Sequence, residues 1–239
     1  MSGIRPRAPY HVLITCEHGG NDVPRRYAAL FRGHERRLET HQGYDPGALA
    51  TGRLFARRLD APFFYATTTR LLVDLNRTAR AKARFSNITR ALSESERAEI
   101  LRRHYQPHWD RIWAEVERGA KRGRTVLHIA SHSFTPIWKG RKRMCDVGIL
   151  FDPRREPAAR LARAWQLSLQ SAQPDAIVRR NYPYRGWTDA MTTEFSRRLP
   201  APRYIGIELE ANQGLLESRR WPELQRAIVQ SLADVLQVL

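Results

Sequence analysis

Residues 10–20 are Tyr10-His11-Val12-Leu13-Ile14-Thr15-Cys16-Glu17-His18-Gly19-Gly20, an apolar run that ends in a charged, glycine-rich turn. A short apolar run bounded by turn residues is typical of a buried β-strand. In layered α/β domains, functional groups lie beyond the carboxyl ends of the central strands. His18 would stand at such an end, where Gly19 and Gly20 let a substrate approach the backbone.

Similar apolar runs recur along the chain and alternate with helical patterns. The runs cover residues 62–66, 125–131, 147–151, 176–178 and 204–209. Ser93 and Glu96 form a capping-box pattern that predicts a helix reaching to about Glu117, and Pro222 suits the first turn of a final helix. Strands alternating with helices predict one α/β domain over residues 1–239, with its active site beyond the central strands.

Composition narrows the class of protein. The chain has 239 residues, 42 % of them hydrophobic, and a formal charge of +17 that comes almost entirely from scattered arginines. It has no apolar run long enough for a membrane span, no signal-peptide pattern and only two cysteines, so we expect a cytoplasmic protein without a membrane partner. The charge leaves a nucleic-acid-binding protein as the weaker alternative, since no basic tail or RNA-binding signature accompanies it.

Two histidines end apolar strands and suggest a metal site. His18 follows the first run, and His132 follows the run at 125–131. One histidine in a loop is more often structural, but two strand ends can converge on one ion if the strands are neighbours.

Carboxylates and arginines mark two further segments. Glu208 and Glu210 share one face of a predicted strand, because side chains alternate along a strand. They are either functional groups in a central strand or the solvated face of an edge strand. The segment from Thr69 to Arg77 places charges among leucines, and Asp74 could hold Arg70 or Arg77 in an ion pair.

Taken together, the motifs resemble those of one enzyme family. They are Cys16-Glu17-His18-Gly19-Gly20-Asn21, Tyr44-Asp45-Pro46-Gly47-Ala48, Thr69-Arg70-Leu71-Leu72-Val73-Asp74-Leu75-Asn76-Arg77, Ser131-His132-Ser133-Phe134-Thr135-Pro136, Asp146-Val147-Gly148-Ile149-Leu150 and Gly206-Ile207-Glu208. Their order, from about residue 10 to 215, is similar to that of the N-formylglutamate amidohydrolases. The resemblance implies a three-layer, zinc-peptidase-like (phosphorylase/hydrolase-like) α/β fold with a central mixed sheet. It also implies metal-dependent hydrolysis of N-formylglutamate or a related N-acyl amino acid.

The wider zinc carboxypeptidase and aspartoacylase group implies roles for individual residues. His18 and His132 would bind a divalent metal, expected to be zinc. The glutamate that normally follows the first histidine is replaced by Asn21, so the third ligand must be another residue. Asp45 is the leading candidate and Glu17 the second, although Asp45 could equally be a helix N-cap.

The same resemblance assigns the remaining groups. Glu208 would be the general base and Arg70 would stabilise the oxyanion. Asn76 and Arg77, with Arg185 and Tyr184 from the loop at 181–186, would bind the carboxylate of a small substrate. Tyr184 and Arg185 could instead belong to an ordinary packed turn. A binding protein on the same fold, without catalysis, stays open because of Asn21. The sequence predicts neither the acyl group nor the oligomeric state.

Overall fold

The computed structural model describes residues 10–238. The strands are β1 (Tyr10–Cys16), β2 (Phe63–Tyr65), β3 (Thr125–Phe134), β4 (Ile137–Trp138), β5 (Arg141–Lys142), β6 (Val147–Leu150), β7 (Val178–Arg180) and β8 (Tyr204–Asn212). The α-helices are α1 (Glu35–Leu38), α2 (Ala48–Leu59), α3 (Asn87–Arg90), α4 (Glu94–Ile100), α5 (Gln106–Lys121), α6 (Glu156–Ala172), α7 (Met191–Arg198) and α8 (Trp221–Val238). No helix in this described part is long and apolar enough to cross a membrane.

The central sheet is mixed, as predicted. Its strand order is β2-β1-β3-β8-β6-β7, and β4 and β5 form a separate hairpin. β2, β1, β3 and β8 run parallel, whereas β6 pairs antiparallel with β8 and parallel with β7. The carboxyl ends of β1, β3 and β8 therefore meet at one edge of the sheet.

Helices cover both faces of the sheet and make three layers. One face packs Phe55 of α2, Trp165 of α6 and Ile228 of α8 against strand residues that include Ile14 and Ile207. The other face packs α5 and α7, with Ile112 and Phe195, against Leu13, Val126 and Tyr204. Burial of apolar side chains on both faces accounts for the near-continuous apolar strands in the sequence.

The second face changes character along the strands. It is apolar near their amino ends, at Leu13, Val126 and Tyr204. The register pairs Ala130 with Glu208 and His132 with Glu210, so the same face carries ionisable groups toward the carboxyl ends. The fold thereby gathers the polar groups at one edge of an otherwise apolar layer.

The predicted long helix and final helix are confirmed. Ser93 and Glu96 exchange the two hydrogen bonds of a capping box at the start of α4. A π-helical turn at Leu101–Tyr105 joins α4 to α5. Pro222 lies in the first turn of α8.

Strand bounds differ most from the prediction at β3, β8 and β7, while β2 and β6 are shorter than their predicted runs by two residues and one residue. β3 and β8 are each three residues longer than their apolar runs, because they pair with one another as far as Phe134 and Asn212. The strand predicted at 176–178 is Val178–Arg180, since β7 pairs only with Val147 to Ile149 of β6 while Ala176 closes a turn on Gln173. Strand pairing, and not local hydrophobicity, sets the bounds of β3, β8 and β7.

Candidate active site

All the predicted site residues line one cavity of about 490 Å³ at the carboxyl edge of the sheet. They are His18, Asp45, Arg70, Asn76, Arg77, His132, Tyr184, Arg185 and Glu208. His18 follows β1, His132 lies in β3 and Glu208 lies in β8. The parallel arrangement of these strands brings together residues that are up to 190 positions apart.

A buried cluster of His18, Asp45 and His132 forms a possible metal site. Asp45 Oδ2 lies 3.2 Å from His18 Nδ1 and 2.9 Å from His132 Nδ1. Ligand atoms about 2.0–2.2 Å from a tetrahedral ion are themselves about 3.3 Å apart, so this spacing fits one ion between them. Two imidazoles and a carboxylate are also a ligand set that zinc accepts.

Asp45 occupies this position in preference to the other residues considered from sequence. Helix α2 has Gly47, at a φ of 81°, as its N-cap, and Asp45 makes no side-chain cap. Asn21 donates hydrogen bonds to the carbonyl of Leu38 and the carboxylate of Glu39 and is not among the cavity-lining residues. The residue that replaces the usual glutamate therefore takes no part in the cluster.

Each histidine also has a carboxylate at its other ring nitrogen. His18 Nε2 lies 2.7 Å from Asp74 Oδ1, and His132 Nε2 lies 3.1 Å from Glu17 Oε2. The Glu17 contact has ion-pair distance but not the alignment of a hydrogen bond. Carboxylates behind metal-bound histidines fix the ring tautomer and raise ligand basicity. The Asp74 hydrogen bond thus leaves Nδ1 of His18 free to face an ion, and both rings place Nδ1 beside Asp45.

The electrostatics of the cluster favour a cation. Burial alone would lower the pKa of His132, but Asp45 and Glu17 outweigh it and hold this pKa well above its ordinary range. Burial would raise the pKa of Glu17, yet His132 brings it down to about 2. The pKa values of Asp45 and Asp74 are also lowered, by His18, Arg70 and, at Asp45, His132, against the effect of burial. Ionised carboxylates with little solvent therefore surround the two rings.

Arg70 is held in place by the same carboxylates. Its two terminal nitrogens donate to Asp45 Oδ1 at 3.2 Å and to Asp74 Oδ2 at 2.7 Å. The side chain is still 25 % exposed and lines the cavity. Of the two partners considered for Asp74, Arg70 makes the shorter contact, because Arg77 Nε lies 3.8 Å away.

Two glutamates of β8 face the cavity from the centre of the sheet. β8 lies between β3 and β6 and is buried throughout, so the edge-strand alternative is wrong. Glu208 Oε1 accepts a hydrogen bond of 2.8 Å from Thr192 Oγ1. Burial raises the pKa of Glu210 to about 8, although His132 opposes the rise. Glu210 is thus a second cavity carboxylate beside the predicted base.

Asn76 and Arg77 form the wall near α7. Asn76 Oδ1 accepts a hydrogen bond of 3.0 Å from the Met191 backbone, and its Nδ2 lies 3.3 Å from His132 Nε2. Arg77 donates to the carbonyl of Asp189 at 2.6 Å, while 36 % of its side chain stays exposed. Arg77 is therefore anchored at one point and still reaches the cavity.

Tyr184 and Arg185 lie on a loop that follows β7. The loop has a cis bond between Tyr182 and Pro183. Tyr184 is 42 % exposed and its hydroxyl accepts a hydrogen bond of 3.0 Å from Arg143. Both residues line the cavity, so the turn does not serve core packing alone.

Several residues in or behind the cavity wall were not assigned a role from sequence. Glu17, considered from sequence only as the second candidate ligand, lies behind His132 and does not line the cavity, although the alternation that places His132 and Glu208 on one face of the sheet continues from Thr15 to Glu17. The same alternation indicates Glu210, because it lies two residues after Glu208 on the same face of the strand. His41, Trp138 and Arg143 also line the cavity, but no motif distinguished them.

Comparison with known proteins identifies one family and several similar solved structures, including proteins from Agrobacterium tumefaciens and Ralstonia eutropha JMP134. The sequence profile of the N-formylglutamate amidohydrolases matches residues 10–216. Gene product Atu2144 from Agrobacterium tumefaciens is 29 % identical, with a TM-score of 0.77 over 95 % of this chain and 88 % of that one. The N-formylglutamate amidohydrolase from Ralstonia eutropha JMP134 shares the fold at 18 % identity, with a TM-score of 0.71 over 97 % of this chain and 95 % of that one. No curated protein matches the sequence.

Proposed function

The chain belongs to the N-formylglutamate amidohydrolase family and is an amidohydrolase, and we propose that it hydrolyses N-formylglutamate or a related N-acyl amino acid with a bound divalent metal. The observation that carries this proposal is the buried His18, Asp45 and His132 cluster in the wall of the cavity. A cavity of about 490 Å³ has the size of an ordinary small-molecule site.

His18 Nδ1, His132 Nδ1 and Asp45 Oδ2 would hold the ion, and their chemistry fits zinc. When bound, such an ion polarises a carbonyl group and lowers the pKa of water. Glu17 and Asp74 support the two rings from the opposite nitrogens. This placement favours Asp45 over Glu17 as the third ligand.

Glu208 is the proposed general base. The attacking water gives a proton to a Glu208 carboxylate oxygen while the water oxygen bonds to the acyl carbon. The C–N bond then breaks as the proton passes to the departing amine, which leaves a carboxylic acid and a free amino acid. The Thr192 hydroxyl, bound to Glu208 Oε1 at 2.8 Å, orients the carboxylate for both transfers.

Arginines supply positive charge for the developing oxyanion and for the substrate carboxylate. Arg70, fixed by Asp45 and Asp74, stabilises the negative charge that develops on the carbonyl oxygen. Asn76 and Arg77, with Tyr184 and Arg185 from the facing loop, bind the substrate carboxylate.

Cys16 and Cys145 are buried and unpaired, which supports a reducing compartment and therefore a cytoplasmic enzyme.

The test is metal content and N-formylglutamate hydrolysis of the purified protein, before and after chelation and after restoration with zinc or cobalt. We expect stoichiometric metal and formate release that chelation abolishes and metal restores. His132→Ala should lose both properties. His128→Gln is the matched control, because His128 is buried in the same strand but does not line the cavity.

A folded wild-type protein with neither metal nor activity under any reconstitution would refute the proposal. Tight binding of N-formylglutamate without turnover would identify a ligand-binding protein on the same fold.

A further inference from the structure

Arg143 lies just after the β4–β5 hairpin and is packed among aromatic rings in the cavity wall. Its guanidinium carbon lies 4.8 Å from the ring centre of Tyr184, 5.3 Å from that of Trp138 and 5.7 Å from that of Phe134. Its Nη1 also donates to the Thr135 carbonyl at 3.3 Å and to the Tyr184 hydroxyl at 3.0 Å. These contacts fix a long side chain that would otherwise sample many rotamers.

No carboxylate of the described residues neutralises the charge of Arg143. Arg70 is bound by two aspartates, and Arg77 lies 3.8 Å and 4.0 Å from Asp74 and Asp189. Within residues 10–238, Arg143 and Arg185 have no acidic partner at ion-pair distance. Arg185 is exposed, whereas Arg143 is half-buried. Arg143 is therefore a positioned cation of the cavity wall that has no carboxylate partner among the described residues.

The remaining donors of Arg143 suit a carboxylate. Both of its hydrogen bonds use Nη1, and among the described residues neither Nε nor Nη2 donates one. A guanidinium edge of this kind binds the two oxygens of a carboxylate through parallel hydrogen bonds. Nε and Nη2 of Arg143 are not among the buried side-chain atoms that lack a hydrogen-bond partner. This edge of the guanidinium is therefore accessible to solvent.

Tyr184 connects this cation with the reaction centre. It lines the same cavity as the metal cluster, and burial raises its pKa with help from Glu210 and Asp45, while Arg143 opposes the rise. Tyr184 thus contacts Arg143 and lines the cavity that also contains the metal cluster. A substrate whose amide lies at the metal cluster can extend a second charged group past Tyr184.

We propose that Arg143 is a specificity-determining residue that binds the side-chain carboxylate of a dicarboxylic N-acyl amino acid. This inference rests on the proposed function, in which Asn76 and Arg77, with Tyr184 and Arg185, bind the first carboxylate. Two separate arginine positions make the cavity complementary to a dianion. A neutral side chain of the same shape would leave Arg143 desolvated and unpaired.

The experiment compares N-formyl-L-glutamate with N-formyl-L-glutamine, which has the same shape and a neutral side chain. Wild type should prefer the glutamate compound, and Arg143→Met should lower kcat/KM for that compound about 10- to 100-fold, mainly through KM. The glutamine compound should change little, and Arg143→Lys should recover part of the preference. Arg141→Met is the matched control, because Arg141 is exposed on the same hairpin and does not line the cavity.

Two outcomes overturn the inference even though the protein is an active deformylase. One is an Arg143→Met enzyme that keeps the wild-type preference, and the other is an equal loss on both substrates, which indicates a structural role.

Calorimetric titration with L-glutamate and L-glutamine tests the inference without turnover. One outcome is that wild type hydrolyses neither N-formyl compound but binds L-glutamate more tightly than L-glutamine, and that Arg143→Met removes this difference in affinity. In that case the proposed reaction is wrong and the anion subsite stands. Absence of both turnover and discrimination overturns both proposals.

Discussion

Glu17→Gln tests whether the carboxylate behind His132 strengthens metal binding. Glutamine keeps the volume of the buried side chain and removes its charge. Loss of a carboxylate behind a ligand histidine weakens metal affinity by about 10- to 100-fold, or about 1.4–2.7 kcal/mol. Glu17 contacts His132 at 3.1 Å without hydrogen-bond alignment, whereas Asp74 contacts His18 at 2.7 Å. We therefore expect a loss near the tenfold end of that range.

The assay is competition for zinc with a chelator of known affinity, followed by hydrolysis at fixed free zinc. At limiting zinc the variant should lose activity in proportion to its lost affinity, and excess zinc should restore it. Glu115→Gln is the control. Glu115 is also a buried glutamate paired with a histidine, at 2.7 Å from His11 Nε2, but His11 is not part of the metal cluster.

Unchanged zinc affinity in a folded Glu17→Gln protein would refute this role. A far larger loss, with a cobalt absorption spectrum that changes coordination number, would mean that Glu17 is itself a ligand. In that case Asp45 would have to be assigned again.

Three further predictions concern catalysis, pH and the core. Glu208→Gln should lower kcat about 10²- to 10⁴-fold while metal content stays stoichiometric, because only the proton acceptor is lost; activity near wild type would exclude Glu208 as the base. Burial lowers the pKa of His128 to about 4 from the ordinary 6.5, so the unfolded chain binds the extra proton first. Stability should therefore fall as pH drops from 6.5 toward 4, by up to about 3 kcal/mol. Denaturant unfolding across that range, with an NMR titration of the His128 ring, checks this; a ring midpoint near 6.5 contradicts it. Phe55→Ala removes a fully buried ring that packs edge-on against Trp165 and should lower the free energy of unfolding by about 3–5 kcal/mol, measured with urea. A loss of unfolding free energy smaller than that of a substitution at an exposed residue would contradict the packing.

Much of the site could be predicted because its residues follow recognisable strands. The family resemblance and the fold class are confirmed by the family match and by the mixed sheet. His18 follows β1 and His132 lies near the carboxyl end of the neighbouring β3, so the converging geometry follows from strand order. The roles of these residues stay predictions.

The choice between Asp45 and Glu17 as the third metal ligand required the three-dimensional structure. Both are acidic and both lie near His18 or His132, and what separates them is which ring nitrogen each one faces. Ring orientation depends on packing around the whole side chain, which no spacing in the sequence encodes.

Arg143 could not be distinguished from its neighbours for a related reason. The segment from Lys139 to Arg143 contains four basic residues. A hairpin directs Arg141 to solvent, while Arg143 turns back onto Phe134, Trp138 and Tyr184. The second of these outcomes depends on a loop more than forty residues away, at Tyr184.

The place of β8 in the sheet has a consequence for synthesis. β8 is the last strand of the described chain, yet it inserts at the centre, between β3 and β6. A nascent chain that ends before Tyr204 therefore leaves the edges of β3 and β6 unpaired, which invites aggregation. All three residues of the metal cluster precede that point, but the proposed base does not. The enzyme can become active only after β8 has entered the middle of the sheet, and its folding is governed by contacts that are distant along the chain.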